Sequence, residues 1–151
     1  MEDAELQGIF AVKLPVRDLA RSRQWYERVL DFEVAYEFSD ADGVVRGVAG
    51  KVPGSGQTLI GLRQSPKHAK AADGFNLVNF AVQDHAALTR WAARLDRLEV
   101  KHSPIIDASV GWIIVLSDPD GIELHLYTLE KHGIDQSGRP GYGTPTGKHR
   151  A

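Results

Sequence analysis

Short runs in which apolar and polar residues alternate are followed by longer stretches with helical spacing. An alternating run at residues 10–16 precedes apolar positions that recur every three or four residues over 19–30. The same succession returns at residues 78–82 and 88–98. Because a strand alternates its side chains between two faces and a helix repeats every 3.6 residues, each succession predicts a strand followed by a helix.

The two halves of the chain are related by an internal repeat. Residues 12–34 align without gaps with residues 78–100, and eight of these 23 positions are identical. Asp18 and Asp84 fall at matching positions just before the helical stretches, where a carboxylate can accept the free amide protons of a first helical turn. The predicted helices span residues 18–30 and 84–97.

Three further strand candidates follow each helix, bounded by turns rich in glycine and aspartate. They are residues 32–38, 43–49 and 57–63 in the first copy and 99–105, 110–117 and 121–128 in the second. The predicted fold class is therefore α+β, with two βαβββ modules over about 8–63 and 75–128 in a single domain. Residues 64–74 are expected to form a polar linker, and the glycine-rich residues 129–151 an extended or disordered tail.

Two segments give the chain a resemblance to a known family. VKLPVRDLARSRQWYERVLDF (12–32) and SDPDGIELHLYT (117–128), together with the duplication, resemble the glyoxalase/bleomycin-resistance/extradiol-dioxygenase superfamily, also called the vicinal oxygen chelate proteins. The resemblance covers about residues 8–128 and implies a cupped mixed sheet around a central cavity. The family includes metal-dependent lyases, isomerases, epimerases, dioxygenases and thiol transferases, as well as metal-free proteins that bind antibiotics.

The resemblance also implies four positions at which the metal-dependent members carry His, Glu or Gln ligands. In this chain the motif places them at Ala11, Gly61, Leu77 and His125. Only the histidine offers a donor atom, whereas a catalytic divalent ion keeps about three protein ligands. The sequence therefore predicts no metal and no other cofactor, unless the ligand positions are shifted in register.

On the first and last strands of each module, the alternation also selects the side chains that face the cup, and it places Phe10 on the side that packs on the helix. The facing of residues on the middle strands stays open. The candidate ligand-binding residues are Lys13, Phe38, Leu59, Arg63, Asn79, His102, Trp112, His125 and Tyr127. Apolar walls with a few polar groups are typical of a small-molecule pocket. Lys13 and Arg63 are candidates for holding an anionic or carbonyl-bearing group. His125, with Glu123 on the same strand, is the candidate catalytic acid or base.

Each of these polar candidates also has a purely structural interpretation. Lys13 lies near the end of a strand that Pro15 terminates, which is typical of a solvated side chain. His125 is equally consistent with a hydrogen-bonded core histidine. Arg63 and Glu123 are equally consistent with solvated or ion-paired surface charges.

Composition narrows the class of partner. The 151 residues carry a formal net charge of −2, which supplies no cationic surface for nucleic acid or an anionic membrane. The absence of cysteine excludes a disulfide scaffold and a cysteine nucleophile. No apolar run approaches the roughly 20 residues of a membrane span, and the acidic MEDAELQG start is unlike a secretory signal. We expect a cytoplasmic protein that binds a small molecule and, on the family resemblance, forms a homodimer.

Four functions stay open on the sequence alone. The favoured one is a metal-free protein that binds a small organic compound in the cup. The second is an enzyme acting on a carbonyl or aromatic substrate with His125 as acid or base. The third is a metal-dependent lyase, isomerase or dioxygenase whose ligands lie at shifted positions, with His125 among them. The fourth is an interaction module with no small-molecule ligand.

Overall fold

The computed structural model describes residues 3–147, and the chain divides into two compact units. The first unit runs to Phe75 and also takes in Asp118–Ile122. The second unit contains Asn76–Ser117 and the chain from Glu123 onward. None of the helices formed by residues 3–147 has the length and apolar character that crossing a membrane requires.

The first unit contains four strands and two helices. They are β1 (Ala11–Val16), α1 (Leu19–Leu30), β2 (Glu33–Ser39), β3 (Val45–Lys51), β4 (Leu59–Gln64) and α2 (Pro66–Ala72). The strand order in the sheet is β1-β4-β3-β2. Strands β1 and β4 are parallel, and the other neighbours are antiparallel.

The second unit repeats this arrangement. Its elements are β5 (Asn76–Val82), α3 (His85–Arg97), β6 (Ile106–Asp107), β7 (Trp112–Ser117) and β8 (Glu123–Thr128). Their order in the sheet, β5-β8-β7-β6, matches that of the first unit strand for strand, again with one parallel pair. The predicted α+β class and the duplicated βαβββ module are thereby confirmed.

Both aspartates expected to cap the long helices do so. The Asp18 carboxylate accepts a hydrogen bond from the Arg21 backbone N–H at 3.1 Å, and Asp84 accepts one from the Ala87 N–H at 2.8 Å. Each bond satisfies an amide that has no partner within the helix. Helices α1 and α3 therefore begin one residue after the repeated aspartate.

The core of the first unit lies between α1 and one face of its sheet. Leu14 on β1 and Ile60 and Leu62 on β4 are buried, together with Tyr26 and Val29 of α1. Since side chains alternate along a strand, residues between these positions point to the opposite face. That opposite face carries the cavity described below.

The turn formed by residues 118–122 holds two buried aspartates against α1. The Tyr26 hydroxyl donates to Asp118 at 2.7 Å. The fully buried side chain of Asp120 accepts from the Arg17 backbone N–H at 3.1 Å and from the Ser22 hydroxyl at 3.3 Å. Burial raises the pKa of the Asp118 carboxyl and of the Tyr26 hydroxyl above their usual values, and the charge on Asp118 raises the pKa of Tyr26 further. The Asp-Pro-Asp-Gly segment therefore has a structural role.

The strand predicted over residues 99–105 is wrong in extent. Among residues 3–147, its strand pairing is reduced to an isolated bridge between His102 and Leu116, and the strand proper is β6. Pro104 has no amide proton to contribute to a ladder, and the Ser103 hydroxyl occupies the Val115 N–H at 2.9 Å.

The predicted polar linker over residues 64–74 contains a helix, α2. Pro66 occupies its first turn, where the missing amide proton costs nothing and the fixed φ favours a helix. Alanine and lysine supply most of the remaining positions, and both have high helix propensity. Ala69 is its one buried residue, so the apolar pattern was too short to indicate a helix.

The chain after β8 has no helix or strand over residues 129–147. It is nevertheless held in place, because the His132 backbone N–H donates to the Val110 carbonyl at 3.0 Å and Gln136 is buried. The expected tail is therefore irregular but packed over this range, and residues 148–151 lie outside the described part of the chain.

Candidate functional site

A cavity of about 740 Å³ lies on the face of the first sheet that α1 does not cover. All four strands of that sheet contribute to its lining. Four of the predicted ligand-binding residues lie in this lining: Lys13, Phe38, Leu59 and Arg63. Lys13, Leu59 and Arg63 are grouped by the strand alternation, because their positions alternate with those of buried core residues on β1 and β4. Phe38 lies on β2, whose residues are all at least partly exposed, and it joins them through its pairing with Gly47.

Small residues on neighbouring strands create the space. Gly61 on β4 pairs with Lys13 on β1 and with Ala49 on β3. A Cβ atom at Gly61 would lie 3.2 Å from Cγ of Lys13, so the aliphatic part of Lys13 extends across this glycine. A Cβ atom at Gly47 would lie 3.8 Å from Cβ of Phe38. The missing side chains thus leave a flat floor that Lys13 and Phe38 border.

Phe10 also lines the cavity, although the alternating pattern placed it on the helix-facing side. Strand β1 begins only at Ala11, so the alternation does not extend back to Phe10. The Phe10 side chain is 81% exposed, which leaves its ring available to a ligand. The prediction that Phe10 packs on the helix is therefore wrong, because the alternation was extended one residue beyond the start of the strand.

Four charged residues line the cavity, and two of them pair with each other. Arg46 Nε donates to the Asp40 carboxylate at 3.1 Å, and this hydrogen bond holds the pKa of Asp40 below its ordinary value. The charged groups of Lys13 and Arg63 have no hydrogen bond or ion pair with any residue in the described range 3–147. The sequence pattern did not identify Asp40 and Arg46, which flank the turn between β2 and β3.

The second unit gathers another set of predicted site residues on one face of its sheet. Leu124 and Leu126 of β8 are buried towards the core, so Glu123, His125 and Tyr127 point to the other face. The His125 Nε2 atom lies 2.7 Å from the Glu123 carboxylate. This pair can hold an imidazole in a fixed orientation for proton transfer.

Asn79 and Tyr127 also lie on that face of the second sheet. Asn79 of β5 lies opposite His125 in the strand register. The Tyr127 hydroxyl accepts a hydrogen bond from the Val110 backbone N–H at 3.1 Å. Tyr127 therefore also has a structural contact, which holds the loop before β7.

Val115 of β7 lies opposite His125 in the sheet, and Trp112 points to the other face of β7. Its ring packs edge-on against His85 at 4.9 Å and against His132 at 5.7 Å between ring centroids. In the register of β7, Trp112 alternates with Ile113, which lies opposite Tyr127. The expectation that Trp112 contacts a ligand is therefore not supported by its position.

His102 uses both ring nitrogens in contacts within the chain. Nε2 lies 2.7 Å from the Asp96 carboxylate, and Nδ1 lies 2.6 Å from the Ser103 carbonyl oxygen. Partial burial lowers the pKa of His102, but these two contacts outweigh it and the pKa lies above its ordinary value. A structural role accounts for His102 without a ligand.

The donor set does not fit a divalent metal at the four family positions. Ala11 and Gly61 line the cavity of the first unit without offering a donor atom. Leu77 lies at an irregularity in the β5 register and is likewise apolar. Within residues 3–147, no three His, Cys, Asp or Glu side chains come together in a way that could hold an ion. A single imidazole, His125, falls short of the roughly three protein ligands such an ion needs.

A family model agrees with this fold. The model of the glyoxalase/bleomycin resistance protein/dioxygenase superfamily matches residues 8–126. The chain belongs to this superfamily. No protein among the curated sequences matches the chain.

Solved structures with the superfamily fold include proteins of different kinds. A glyoxylase/bleomycin resistance protein/dioxygenase domain from Frankia sp. EAN1pec is 27% identical, with a TM-score of 0.66 over 82% of this chain and 98% of that one. TnmS3, an antibiotic binding protein from Streptomyces sp. CB03234, is 19% identical, with a TM-score of 0.67 over 83% and 98% of the chains. Lactoylglutathione lyase from Agrobacterium tumefaciens is 19% identical, with a TM-score of 0.66 over 87% and 100%.

Proposed function

We propose that this superfamily member binds a small organic molecule in the cavity of its first unit, without a divalent metal. The cavity is the observation that carries the proposal, because its volume of about 740 Å³ falls within the range of small-molecule sites. Phe10, Phe38 and Leu59 give it apolar walls. Ala11 and Gly61, at two of the positions where relatives hold a metal, leave open space instead of donor atoms.

The fold neighbours support a binding role without deciding the ligand. They include an antibiotic binding protein and a lyase, so the fold serves both binding and catalysis. Fold alone does not choose between these roles, and the side chains of the site must do so. In the first unit, the cavity offers aromatic and cationic contacts and no imidazole or unpaired carboxylate among the described lining residues.

Isothermal titration calorimetry with a panel of aromatic and glycopeptide compounds tests the proposal. Calorimetry is preferable to tryptophan fluorescence because no tryptophan is found among the described lining residues. We expect at least one compound to bind with one site per chain, with the same affinity in EDTA as in added Mn²⁺ or Zn²⁺. Elemental analysis of the purified protein is expected to show no stoichiometric metal.

A variant that fills the cavity tests whether the ligand binds there. Leucine in place of Gly61 projects into the space beside Lys13, and we expect it to weaken binding about tenfold or more, as overpacking of a well-formed site does. Ala20→Leu adds similar bulk to an exposed position of α1 and serves as the control. Unchanged binding by Gly61→Leu would contradict the site, and about one metal ion per chain would contradict metal independence.

A second candidate function is catalysis by acid–base chemistry on a carbonyl or aromatic substrate. The observation that favours it is the 2.7 Å contact between His125 and Glu123 on the partly buried face of β8 that points away from the core. A carboxylate that contacts one ring nitrogen of an imidazole fixes the orientation of the ring for proton transfer through the other. This pair lies in the second unit and would act independently of a metal.

Replacing His125 with alanine separates catalysis from binding. If the pair is catalytic, His125→Ala is expected to lower turnover about 100-fold or more, the contribution typical of a general acid or base. Glu123→Gln retains a hydrogen-bonding side chain and is expected to cause a smaller loss. An unchanged product-formation rate, or a ligand recovered chemically intact from the wild-type protein, would rule out this function.

A further inference from the structure

We infer that the ligand of the first unit's cavity is an organic anion, a flat apolar body bearing a carboxylate that Lys13 and Arg63 bind. The inference rests on the proposed function and specifies the chemical class of its ligand. Three observations carry it: the charge balance of the lining, the placement of the two cations, and the shape of the cavity floor.

The charge balance of the lining differs from that of the whole chain. The chain as a whole has a formal net charge of −2. The lining contains three basic residues and one acidic residue, and the acidic one, Asp40, is already paired with Arg46. Lys13 and Arg63 therefore face the cavity without a partner among the described residues. A ligand that covers these two cations displaces the water that hydrates them. If the ligand supplies no negative charge in return, the lost hydration costs free energy and weakens binding.

The two cations stand close enough to share one acidic group. Lys13 lies opposite Gly61 in the parallel pairing of β1 and β4, and Arg63 follows Gly61 by two residues on the same face. Neighbouring strands lie about 4.8 Å apart and rise about 3.3 Å per residue, so the Cα atoms of such diagonal neighbours are about 8 Å apart, within reach of long side chains. An arginine fork and a lysine ammonium at that spacing suit the two oxygens of a carboxylate.

The floor beside these cations suits a flat body. Gly47, Ala49 and Gly61 lie on adjacent strands and carry little or no side chain. Glycine within a strand often marks a place where a ligand approaches the backbone closely. The rings of Phe10 and Phe38 border the same space, so an aromatic body is covered on its edges while it lies over the sheet.

Calorimetry with 2-naphthoate and 2-naphthamide tests the inference. The two probes share one apolar body and differ in charge, so the ratio of their affinities isolates the anionic group. We expect wild-type protein to bind 2-naphthoate about 100-fold more tightly than 2-naphthamide, about tenfold for each of the two cations, since a hydrogen bond to a charged group contributes that much. Added sodium chloride is expected to weaken the binding of the naphthoate and leave that of the amide unchanged.

Charge-removing variants assign the preference to the two side chains. Lys13→Met and Arg63→Gln keep most of the side-chain length, and each is expected to weaken naphthoate binding about tenfold while changing naphthamide binding less than twofold. The double variant is expected to bind both probes equally. Lys67→Met makes the same chemical change on the exposed surface of α2 and is the matched control.

The outcomes separate this inference from the proposed function. Equal affinity of the wild-type protein for both probes overturns the anionic ligand and leaves a binding function intact. A preference for naphthoate that survives in the folded double variant overturns the role of Lys13 and Arg63. Failure of the folded wild-type protein to bind either probe counts against both the inference and the proposed cavity.

Discussion

Replacing Asp120 with alanine is expected to lower the free energy of unfolding by about 3 kcal/mol, the lower end of the cost of breaking a buried charge pair. The Asp120 side chain is fully buried and accepts from the backbone N–H and guanidinium of Arg17 and from the Ser22 hydroxyl. Its loss leaves the buried Ser22 hydroxyl and the Arg17 amide without partners. Arg17 remains partly exposed to water, which keeps the cost at the lower end.

Urea denaturation followed by circular dichroism measures this change. Asp42→Ala is the matched control, because Asp42 is exposed and its carboxylate has no hydrogen bond or ion pair with residues 3–147. We expect the control to stay within about 0.5 kcal/mol of the wild-type protein. Asp120→Asn, which retains an acceptor but not the charge, is expected to fall between the two. Equal stability of the Asp120→Ala and Asp42→Ala variants would contradict the structural role of this turn.

Replacing Gly50 with alanine is expected to lower the free energy of unfolding by about 2–3 kcal/mol, as overpacking against a fixed backbone does. A Cβ atom at Gly50 on β3 would overlap the Glu33 carbonyl and lie 2.9 Å from Cα of Val34. Both contacts are with the backbone of β2, which cannot rotate away as a side chain can. The strand that carries Phe38 would therefore be displaced, and ligand binding is expected to weaken as well.

Gly47→Ala is the matched control on the same strand. Its added Cβ atom would lie 3.3 Å from the Leu62 carbonyl oxygen and 3.8 Å from Cβ of Phe38. Small adjustments relieve these contacts, and alanine also restricts the unfolded chain, so the stability should change by less than about 1 kcal/mol. Thermal unfolding of the two variants side by side measures the difference. If Gly50→Ala is as stable as Gly47→Ala, the close packing of β2 on β3 is wrong.

Most of the secondary structure was predictable because local patterns and caps agree. Asp18 and Asp84 mark helix starts that the structure reproduces, and the alternating runs become β1, β5 and β8. The wrong predictions of secondary structure fall on segments where the pattern of apolar residues is short. Residues 99–105 resemble a strand by composition, but Pro104 and the Ser103 hydroxyl interrupt the ladder there.

The candidate site was predictable only where residues lie within regular strands. Alternation placed Lys13, Leu59 and Arg63 on one face, and the structure finds all three beside the same cavity. Phe10 lies before its strand, so the period of two assigned it to the wrong face. For Trp112, the sequence left the facing undetermined, and the β7 register places its ring beside His85.

The sequence by itself determined the duplicated βαβββ fold, the helix starts and the lack of donor atoms at three of the four family ligand positions. These features depend on residue type and on periods of two and 3.6 residues, which are local. Only the tertiary structure decided that Gly61 makes room for Lys13, that Asp40 is paired with Arg46, and that the 118–122 turn packs in the first unit. These contacts join residues on different strands and turns. The period of apolar residues along one element does not specify which residues of another element it will meet.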